Sequence, residues 1–454
     1  MSAFSPPPHD PRVERFHSLF DAFAACGATA AGGVHRLCAS PADGEARAVF
    51  AAAVRDAGGT VSIDAVGNQY GLFALAPRHG APQDDVPQEN VPLVMCGSHL
   101  DSQPQGGRFD GALGVAAAVA AGAALMAAKK ATETAGAPFA ADFCAVNWTN
   151  EEGARFRPSL LGSGFFAGRH DAAYALARTD DSGTSLGEAL AAIGQCGNDA
   201  PPKTPAAYLE LHVEQGPALE QAGATIGIVG RNWGAAKFEV RFDGEPAHTG
   251  PTPMPRRRDA LLAAAYLIAQ TRAIADRWPG IVHSSVGRLL VLPNSSNVVP
   301  SAVSLSVEIR AADDRILAEA AALAADAVRD AAARAGVDVG VFEPAERPGR
   351  ELPRDMRDLT AACAEALGLP HLGLDTISGH DALSLLGLCP TGLVFVPSAG
   401  GIAHSEREYT APGDLEAGFR LLLEAATRLC RAGGMVEAAI HGAADACDPV
   451  HTAR

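Results

Sequence analysis

The hydrophobic pattern of this chain changes character near residue 230, and that change limits the possible folds more than any other feature. Before it, segments of helical periodicity alternate with short runs that are apolar throughout, which is typical of a sheet covered by helices on both faces. The helices are predicted at residues 44–57 and 113–130, and the buried strands at residues 92–96 and 139–148. This half of the chain therefore predicts an α/β fold.

The region after residue 230 alternates polar and apolar residues with period two, as strands do when one face meets water. Its predicted elements are strand, helix, strand, strand, helix and strand, at residues 237–243, 259–276, 285–292, 303–310, 313–335 and 337–342. This β-α-β-β-α-β order is the split-βαβ, or ferredoxin-like, arrangement.

A chain of 454 residues is long enough for two hydrophobic cores, and the second pattern is complete in itself. We therefore expect an inserted domain at residues 231–345, followed by a Pro-, Arg- and Glu-rich return linker at 343–353. The first domain would then be discontinuous, formed by residues 1–230 and 346–454.

Composition and charge exclude several classes of partner. A formal net charge of -16 offers no basic field that would attract nucleic acid or an anionic membrane surface. The N-terminus lacks the pattern of a signal peptide, and no uninterrupted run of about 20 apolar residues predicts a membrane span. The nine cysteines are scattered without a Cys-X-X-Cys pair, which indicates reduced thiols. We expect a cytoplasmic protein that acts on a small molecule.

Residues suited to metal binding lie in or after the predicted strands. His99, Asp101 and Asp110 occur within one segment that includes a Gly-rich turn. A neutral histidine is a nitrogen ligand, a carboxylate two residues later can accept its second N–H, and a further carboxylate can bridge two cations. The neighbours Glu151 and Glu152 point in different directions on a strand or turn, so that one can bind metal while the other faces the reacting atoms.

Two more histidines belong to similar segments: His212 in an alternating strand at 209–216, and His404 in a Gly-rich loop after an apolar strand. Taken alone, each of these side chains is better explained as a solvated or hydrogen-bonded residue. In open α/β folds, however, ligands gather at the carboxyl ends of strands. The convergence of four such segments at strand ends predicts a shared metal site.

Five motifs in this order resemble the hydantoinase/carbamoylase branch of the M20 metallopeptidase family. They are His99-Leu-Asp101, Gly106-Gly-Arg-Phe-Asp-Gly111, Asn150-Glu-Glu-Gly-Ala-Arg-Phe156, Leu211-His-Val-Glu-Gln-Gly-Pro217 and Ala403-His-Ser405. That branch includes N-carbamoyl-L-amino-acid hydrolases, β-ureidopropionases and allantoate amidohydrolases. The resemblance runs from about residue 37 to about residue 430.

The resemblance implies two divalent metal ions in each subunit. Asp110 would bridge the ions, with one further pair of ligands for each ion: His99 with His212, and Glu152 with His404. Such nitrogen and oxygen ligands suit Zn and also accept Mn, Co or Ni.

The resemblance also implies a general base, Glu151, and a residue that orients His99, namely Asp101. Two cations can lower the pKa of a shared water from 15.7 towards ~7. An unligated glutamate beside them can then take the proton of that water and pass it to the leaving nitrogen.

Further roles are implied for the substrate side of the site. His248 would reach the active site of the neighbouring subunit of a homodimer and stabilise the oxyanion, Arg310 would bind the substrate carboxylate, and Asn297 would hydrogen-bond the same end. Gln215 and His380 resemble other substrate-facing positions. Judged on the residues alone, a turn contact is the better explanation of His248, and a surface salt bridge or turn contact is the competing explanation of Arg310 and Asn297.

Three functions remain open. The leading one is hydrolysis of an N-carbamoyl amino acid or a related ureido acid. An M20 aminoacylase or dipeptidase would keep the fold but act on N-acyl amino acids, and the wording of the motif at residues 150–156 speaks against it. A non-catalytic binding protein with the same fold should lack some of the carboxylates or histidines, whereas all are present.

Overall fold

The structure is a computed structural model that describes residues 10–77, 91–132 and 139–441. Its helices are α1 (Pro11–Ala25), α2 (Pro41–Asp56), α3 (Ala112–Thr132), α4 (Leu161–Phe166), α5 (Ala172–Leu176), α6 (Leu186–Ala192), α7 (Ala218–Ala222), α8 (Ala260–Ala275), α9 (Asp314–Ala335), α10 (Arg354–Ala366), α11 (Ala382–Leu385), α12 (Pro412–Arg431) and α13 (Val436–His441). Its strands are β1 (Thr60–Ile63), β2 (Gln69–Phe73), β3 (Leu93–His99), β4 (Asp142–Trp148), β5 (Ala207–Val213), β6 (Ile226–Asn232), β7 (Gly234–Asp243), β8 (Ala247–His248), β9 (Val282–Leu292), β10 (Val298–Val299), β11 (Ala302–Ala311), β12 (Asp338–Arg347), β13 (Arg350–Glu351), β14 (His371–Thr376) and β15 (Thr391–Val396).

The chain forms two compact units. The first contains the described residues up to Gly230, Leu352–Leu374 and those from Gly379 onward, and the second contains Arg231–Glu351 with Asp375–Ser378. The second unit thus extends beyond the predicted insertion. Residues 350–351 join it because β13 pairs with the last two residues of β6, and residues 375–378 join it because the Thr376 carbonyl accepts the Trp233 N–H.

The first unit is built on a mixed sheet with the strand order β1-β2-β4-β3-β5-β15-β6. Its central strands β4, β3, β5 and β15 are parallel to their neighbours within that group, whereas β1, β2 and β6 run antiparallel to the strands beside them. Every residue of these four central strands is buried. Parallel strands with two covered faces read as continuous apolar runs, so the predicted helix-covered α/β sheet is confirmed.

Two hydrophobic clusters cover the faces of this sheet. One cluster joins the strands to α1, α3, α10 and α12, and the other joins them to α11. The helices begin where the sequence favours it: Asp10 and Ser40 cap α1 and α2 with their side-chain oxygens, and each cap is followed by proline. The strands are therefore held rigidly from both sides.

Helix α3 lies in the core of the first unit. By length and composition, residues 112–131 could cross a membrane, although Lys129 and Lys130 interrupt the apolar run. About two thirds of that window is buried inside the unit (67%), where α3 packs against α1, α12 and β3. Its apolar character is thus explained by its position on the sheet.

Strand β3 is longer than the sequence pattern predicts. The apolar run ends at residue 96, but the strand continues to His99 because the backbone of Gly97, Ser98 and His99 pairs with the end of β4. Polar side chains do not interrupt a backbone ladder. His99 is therefore the last residue of a central strand.

The second unit contains a four-stranded antiparallel sheet in the order β12-β7-β11-β9. Helices α8 and α9 pack with each other and on one face of this sheet. Buried and half-buried residues alternate along most of β11, as expected for a strand with one covered face. A separate ribbon pairs β8 with β10.

Strand β12 continues into the predicted return linker. It ends at Arg347, and its register to β7 shifts between Phe342 and Ala345. Pro344 lies inside this irregularity, where the missing N–H of proline is tolerated. The linker prediction is therefore wrong for residues 343–347.

Candidate metal centre

The side chains of the candidate centre lie at the carboxyl ends of four neighbouring strands. His99 ends β3, Glu151 and Glu152 follow β4, His212 lies next to the end of β5, and the loop that carries His404 follows β15. Because the central strands run parallel, their carboxyl ends meet at one edge of the sheet. The fold thus brings together residues that are far apart in sequence.

Asp110 lies in the middle of these side chains. Its Oδ1 is 3.1 Å from Nε2 of His212 and 3.4 Å from Nε2 of His99, whereas its Oδ2 is 3.5 Å from Nε2 of His404. Burial opposes ionisation of Asp110, but the imidazoles of His212 and His99 lower its pKa well below the ordinary value. The two oxygens of this carboxylate therefore face different histidines: Oδ1 faces His99 and His212, and Oδ2 faces His404.

Two groups of metal-ligand type share Asp110. Within each group, the offered ligand atoms lie within 4.8 Å of one another: His99, Asp110 and His212 in the first, and Asp110, Glu152 and His404 in the second. Nε2 of His404 is 3.5 Å from Oε2 of Glu152. The first group is buried, whereas the His404 side chain is 48% exposed, so solvent reaches the second group.

Asp101 holds the loop that carries the two glutamates. Its Oδ1 accepts the backbone N–H of Glu151 at 3.2 Å, and its Oδ2 accepts that of Glu152 at 3.3 Å. The ring of His99 contacts Asp101 as predicted from the two-residue spacing, but through the backbone carbonyl, 2.9 Å from Nδ1. The carboxylate, predicted to make this contact, is 3.7 Å away because its oxygens point to the glutamate loop.

Glu151 is a buried carboxylate next to His99. Its Oε2 lies 3.6 Å from Nε2 of His99. Burial raises the pKa of Glu151 well above its ordinary value, against the lowering effect of His99, and the carboxylate of Asp381 raises it further. A raised pKa at such a position is a property of catalytic acids and bases.

Buried negative charge is concentrated at this edge of the sheet. Asp101, Asp110, Glu151 and Glu152 all lie there with their side chains at most 10% exposed. Burial raises the pKa of Asp101 to about 7, and the Glu152 carboxylate adds to the rise. Buried carboxylates cost free energy unless cations balance them, so this donor set fits divalent metal ions.

Two further contacts position the candidate ligands. The backbone and side-chain amides of Gln103 donate to the two oxygens of Glu152, at 3.2 and 2.8 Å. Gly111 follows Asp110 with a φ of 66°, and a methyl group there would overlap the His99 ring. Only glycine allows both the backbone conformation and the close approach of the histidine.

Gln215 and His380, predicted to face the substrate, also lie in the first unit. The side-chain amide of Gln215 donates to Oδ2 of Asp110 at 2.6 Å, so it contacts a candidate ligand directly. His380 is buried, with its ring 4.6 Å from that of His212 in an edge-to-face arrangement. Glu210, His212 and His380 form a third group of ligand type that shares His212 with the first.

Sequence reasoning missed two buried glutamates beside the centre. Glu408 accepts the backbone N–H groups of Phe109 and Asp110, and burial raises its pKa to about 8. Glu210 accepts the hydroxyl of Ser98 at 2.9 Å and the N–H of Ala382 at 2.7 Å. Glu210 could have been found, since it lies two residues before His212 and faces the same side of the strand. Glu408 lies in a charged loop and carries no such signal.

A family model described as peptidase family M20/M25/M40 matches residues 95–428. The chain belongs to this family. The match includes every residue of the two groups around Asp110.

Curated relatives and solved structures confirm the resemblance to the hydantoinase/carbamoylase branch. An N-carbamoyl-L-amino-acid amidohydrolase from Rhizobium meliloti is 35% identical over 412 residues, which cover 88% of this chain and 93% of the relative. An allantoate amidohydrolase from Bacillus subtilis is 32% identical, with the same two coverages of 88% and 93%. The crystal structure of a hydantoinase/carbamoylase family amidase from Burkholderia vietnamiensis has a TM-score of 0.84 at 37% identity, covering 92% of this chain and 97% of that one.

The remaining predicted residues of this M20 protein lie in its second unit. His248 is exposed in β8, and its Nδ1 accepts the Gly250 N–H at 3.0 Å. Asn297 is exposed just before β10, and its carbonyl accepts the Thr249 N–H. The two residues are therefore neighbours on the small β8–β10 ribbon.

Arg310 is half-buried near the end of β11. Its Nε donates to Glu308 at 2.6 Å, and its Nη1 donates to the Ile377 carbonyl. Burial raises the pKa of Glu308, but the cations of Arg310 and Lys237 lower it overall. Arg310 therefore forms a salt bridge, which is the alternative explanation that the sequence allowed. The role of Arg310 in binding the substrate carboxylate stays a prediction.

Proposed function

We propose that this M20 protein hydrolyses the ureido or amide C–N bond of N-carbamoyl amino acids or related ureido acids at a centre of two divalent metal ions. The observation that carries the proposal is the position of Asp110, whose Oδ1 faces His99 and His212 and whose Oδ2 faces His404. The names of the two curated relatives support the substrate class, because one acts on N-carbamoyl-L-amino acids and the other on allantoate.

We propose that His99 and His212 bind one ion, Glu152 and His404 bind the other, and Asp110 binds both. The mixed nitrogen and oxygen donors suit Zn, with Mn, Co or Ni as alternatives. Such a pair of ions would supply Lewis-acid chemistry: it would polarise the substrate carbonyl and lower the pKa of the attacking water.

Glu151 is the proposed general base. Its carboxylate is buried beside His99 but belongs to neither ligand group around Asp110, so it is left to take the proton of the attacking water. After attack, the same carboxyl group holds that proton on Oε1 or Oε2 and delivers it to the leaving nitrogen. Asp101 fixes the base by holding its backbone N–H.

We propose that the substrate carboxylate binds to Arg310, with Asn297 beside it. Among the described residues, the partners of Arg310 are bound through Nε and Nη1, which leaves Nη2 of the fork for an anionic ligand. Competition with the carboxylate of Glu308 keeps this clamp weaker than a free guanidinium would be. Gln215 and His380 are proposed to contact the substrate from the first unit.

We further propose a homodimer in which the second unit is a ferredoxin-like dimerisation and lid domain, with His248 acting in the neighbouring subunit. Edge strand β9 exposes Leu289, Leu290 and Leu292, and an exposed apolar edge strand is a template for pairing with another chain. Because Nδ1 of His248 accepts a hydrogen bond, the proton of its neutral ring lies on Nε2. Nε2 can therefore donate to an oxyanion.

The cytoplasm is the proposed location. In the part of the chain that the structure describes, eight cysteines are present and none is in a disulfide, which suits a reducing compartment.

The test is a substrate screen on purified protein loaded with each metal in turn. We expect ammonia release from N-carbamoyl amino acids, ureidopropionate or allantoate, and a rate roughly 10²–10⁴-fold lower from the Glu151→Gln variant. Turnover of N-acyl amino acids or dipeptides alone would indicate an aminoacylase or dipeptidase. Binding of two metal ions with no turnover of any member of the panel would indicate a binding protein.

The shared site is tested by mixing subunits. His248→Ala and Glu151→Gln proteins should each be inactive, but a mixed dimer contains one site with both residues intact. We expect partial recovery of activity in verified mixed dimers. Verified mixed dimers without activity would contradict the role of His248 in the neighbouring subunit.

A further inference from the structure

Glu408 connects two of the segments that carry candidate metal ligands. It belongs to the loop that follows β15 and contains His404, and its side chain crosses to the turn before α3. There its Oε1 accepts the N–H of Phe109 at 3.2 Å and the N–H of Asp110 at 3.0 Å. Only 5% of the residue is exposed, so water competes little for these hydrogen bonds.

The turn is shaped to receive this carboxyl group. A methyl group built on Gly107 would overlap the Glu408 carboxyl carbon and both its oxygens. The φ of Gly107 is not in the left-handed region, so space and not backbone conformation requires glycine there. Gly107 and Glu408 thus form a matched pair on the two segments.

The rest of the His404 loop is fastened independently. Glu220 accepts the Gly400 N–H at 2.8 Å, and the Tyr409 carbonyl accepts the Ala399 N–H at 2.8 Å. The hydroxyl of Thr410 donates to the Pro397 carbonyl at 2.8 Å. Loss of the Glu408 carboxylate should therefore shift the two segments against each other without unfolding the loop.

We propose that Glu408 is a positioning residue that sets Asp110 against His404 and so determines the affinity of the ion held by Asp110, Glu152 and His404. This inference rests on the proposed function, in which those three residues bind one metal ion. The other ion shares Asp110 but depends less on Glu408, because its remaining ligands, His99 and His212, come from β3 and β5 and are placed by the sheet.

The experiment is a titration of metal-free full-length protein with Zn²⁺ by calorimetry, with metal content measured by elemental analysis. Wild type should bind two ions. Glu408→Ala should weaken one of them by roughly 10–100-fold and the other, which shares only Asp110 with it, by clearly less. Glu408→Gln keeps an oxygen for the two N–H donors, and its affinities should stay within roughly threefold of wild type.

Two more variants separate positioning from general damage. Gly107→Ala keeps the Glu408 carboxylate but displaces it, so it should weaken the same ion as Glu408→Ala. Arg407→Ala, an exposed neighbour in the same loop, should behave as wild type. If Glu408→Ala does not fold, the contrast between Gly107→Ala and Glu408→Gln still decides the matter.

The outcomes separate this inference from the proposed function. Wild type that binds fewer than two ions would refute the two-metal centre itself. Wild type with two ions, together with wild-type affinities in Glu408→Ala and Gly107→Ala, would overturn the role of Glu408 alone. Equal weakening of both ions in these variants would also overturn it, because a general loosening of the fold gives that result.

Discussion

Replacing Asp101 by asparagine should damage the centre although it changes only one oxygen into an NH₂ group. The two donors that Asp101 accepts are divided between its oxygens, with the Glu151 N–H on Oδ1 and the Glu152 N–H on Oδ2. Asparagine has a single acceptor oxygen. One N–H therefore loses its acceptor and faces the NH₂ group of the new side chain.

The size of the effect follows from burial and distance. Asp101 is 2% exposed, so water cannot replace the lost acceptor. A buried donor without a partner costs about 1–3 kcal/mol, and since both hydrogen bonds are longer than the usual ~2.9–3.0 Å, we expect about 1–2 kcal/mol. This cost lowers the fraction of molecules in which the loop of Glu151 and Glu152 is correctly placed by roughly 5–30-fold. Asp101→Ala loses both acceptors and should cost about twice as much.

Hydrogen exchange of metal-free protein measures this loosening directly. In Asp101→Asn, amides of residues 149–156 should exchange roughly 5–30-fold faster, and turnover of the metal-loaded enzyme should fall by a similar factor. Asp142→Asn is the control: Oδ1 of this buried carboxylate accepts both the N–H of Leu75 and that of Ala76 at the opposite end of β4, so asparagine can keep both hydrogen bonds. The reasoning fails if Asp101→Asn exchanges like wild type in this segment, or if Asp142→Asn loosens it equally.

Three further predictions concern other groups. Glu151→Gln should keep its metal content but lose roughly 10²–10⁴-fold in turnover, and a near-normal rate would reject the general base. Arg310→Ala should raise KM for carboxylate substrates far more than for their amides, whereas an equal rise would reject the clamp. Asp180 should show a pH effect, because hydrogen bonds from Ser182 and Arg155 lower its pKa to about 2 from the ordinary 3.8. Its contribution to stability is present above the ordinary pKa and is lost as the pH falls through about 2, so the melting-temperature difference between wild type and Asp180→Asn should shrink below about pH 4. A difference that stays constant across this range would contradict it.

The assembly of His99, His212 and His404 at one edge of the sheet could be predicted from sequence, because it depends on where strands end. Fully buried parallel strands leave a strong signal, since both of their faces are apolar. The strands and helices of the second unit could be predicted equally well, because period-two alternation distinguishes its strands from its helices. The predicted ends of β3 and β12 were wrong, because backbone pairing in both strands continues past the end of the hydrophobic pattern.

The contacts that position the candidate ligands could not be predicted from the sequence, and the same physical reason applies to each of them. Asp101 was expected to accept the ring N–H of His99, but its carboxylate accepts two backbone N–H groups of the next segment instead. Glu408 does the same for the segment of Asp110. A backbone N–H is present at nearly every residue, so the sequence does not indicate which of them a buried carboxylate will bind.

This arrangement also explains how the centre can tolerate some changes and not others. The donor side of each contact belongs to the backbone, so substitutions at Phe109 that preserve the turn leave the hydrogen bond in place. The acceptor side depends on one carboxylate, and its loss leaves buried N–H groups without partners. Asp101 and Glu408 should therefore be as sensitive to substitution as the ligands that they hold, although neither faces an ion in the proposed centre.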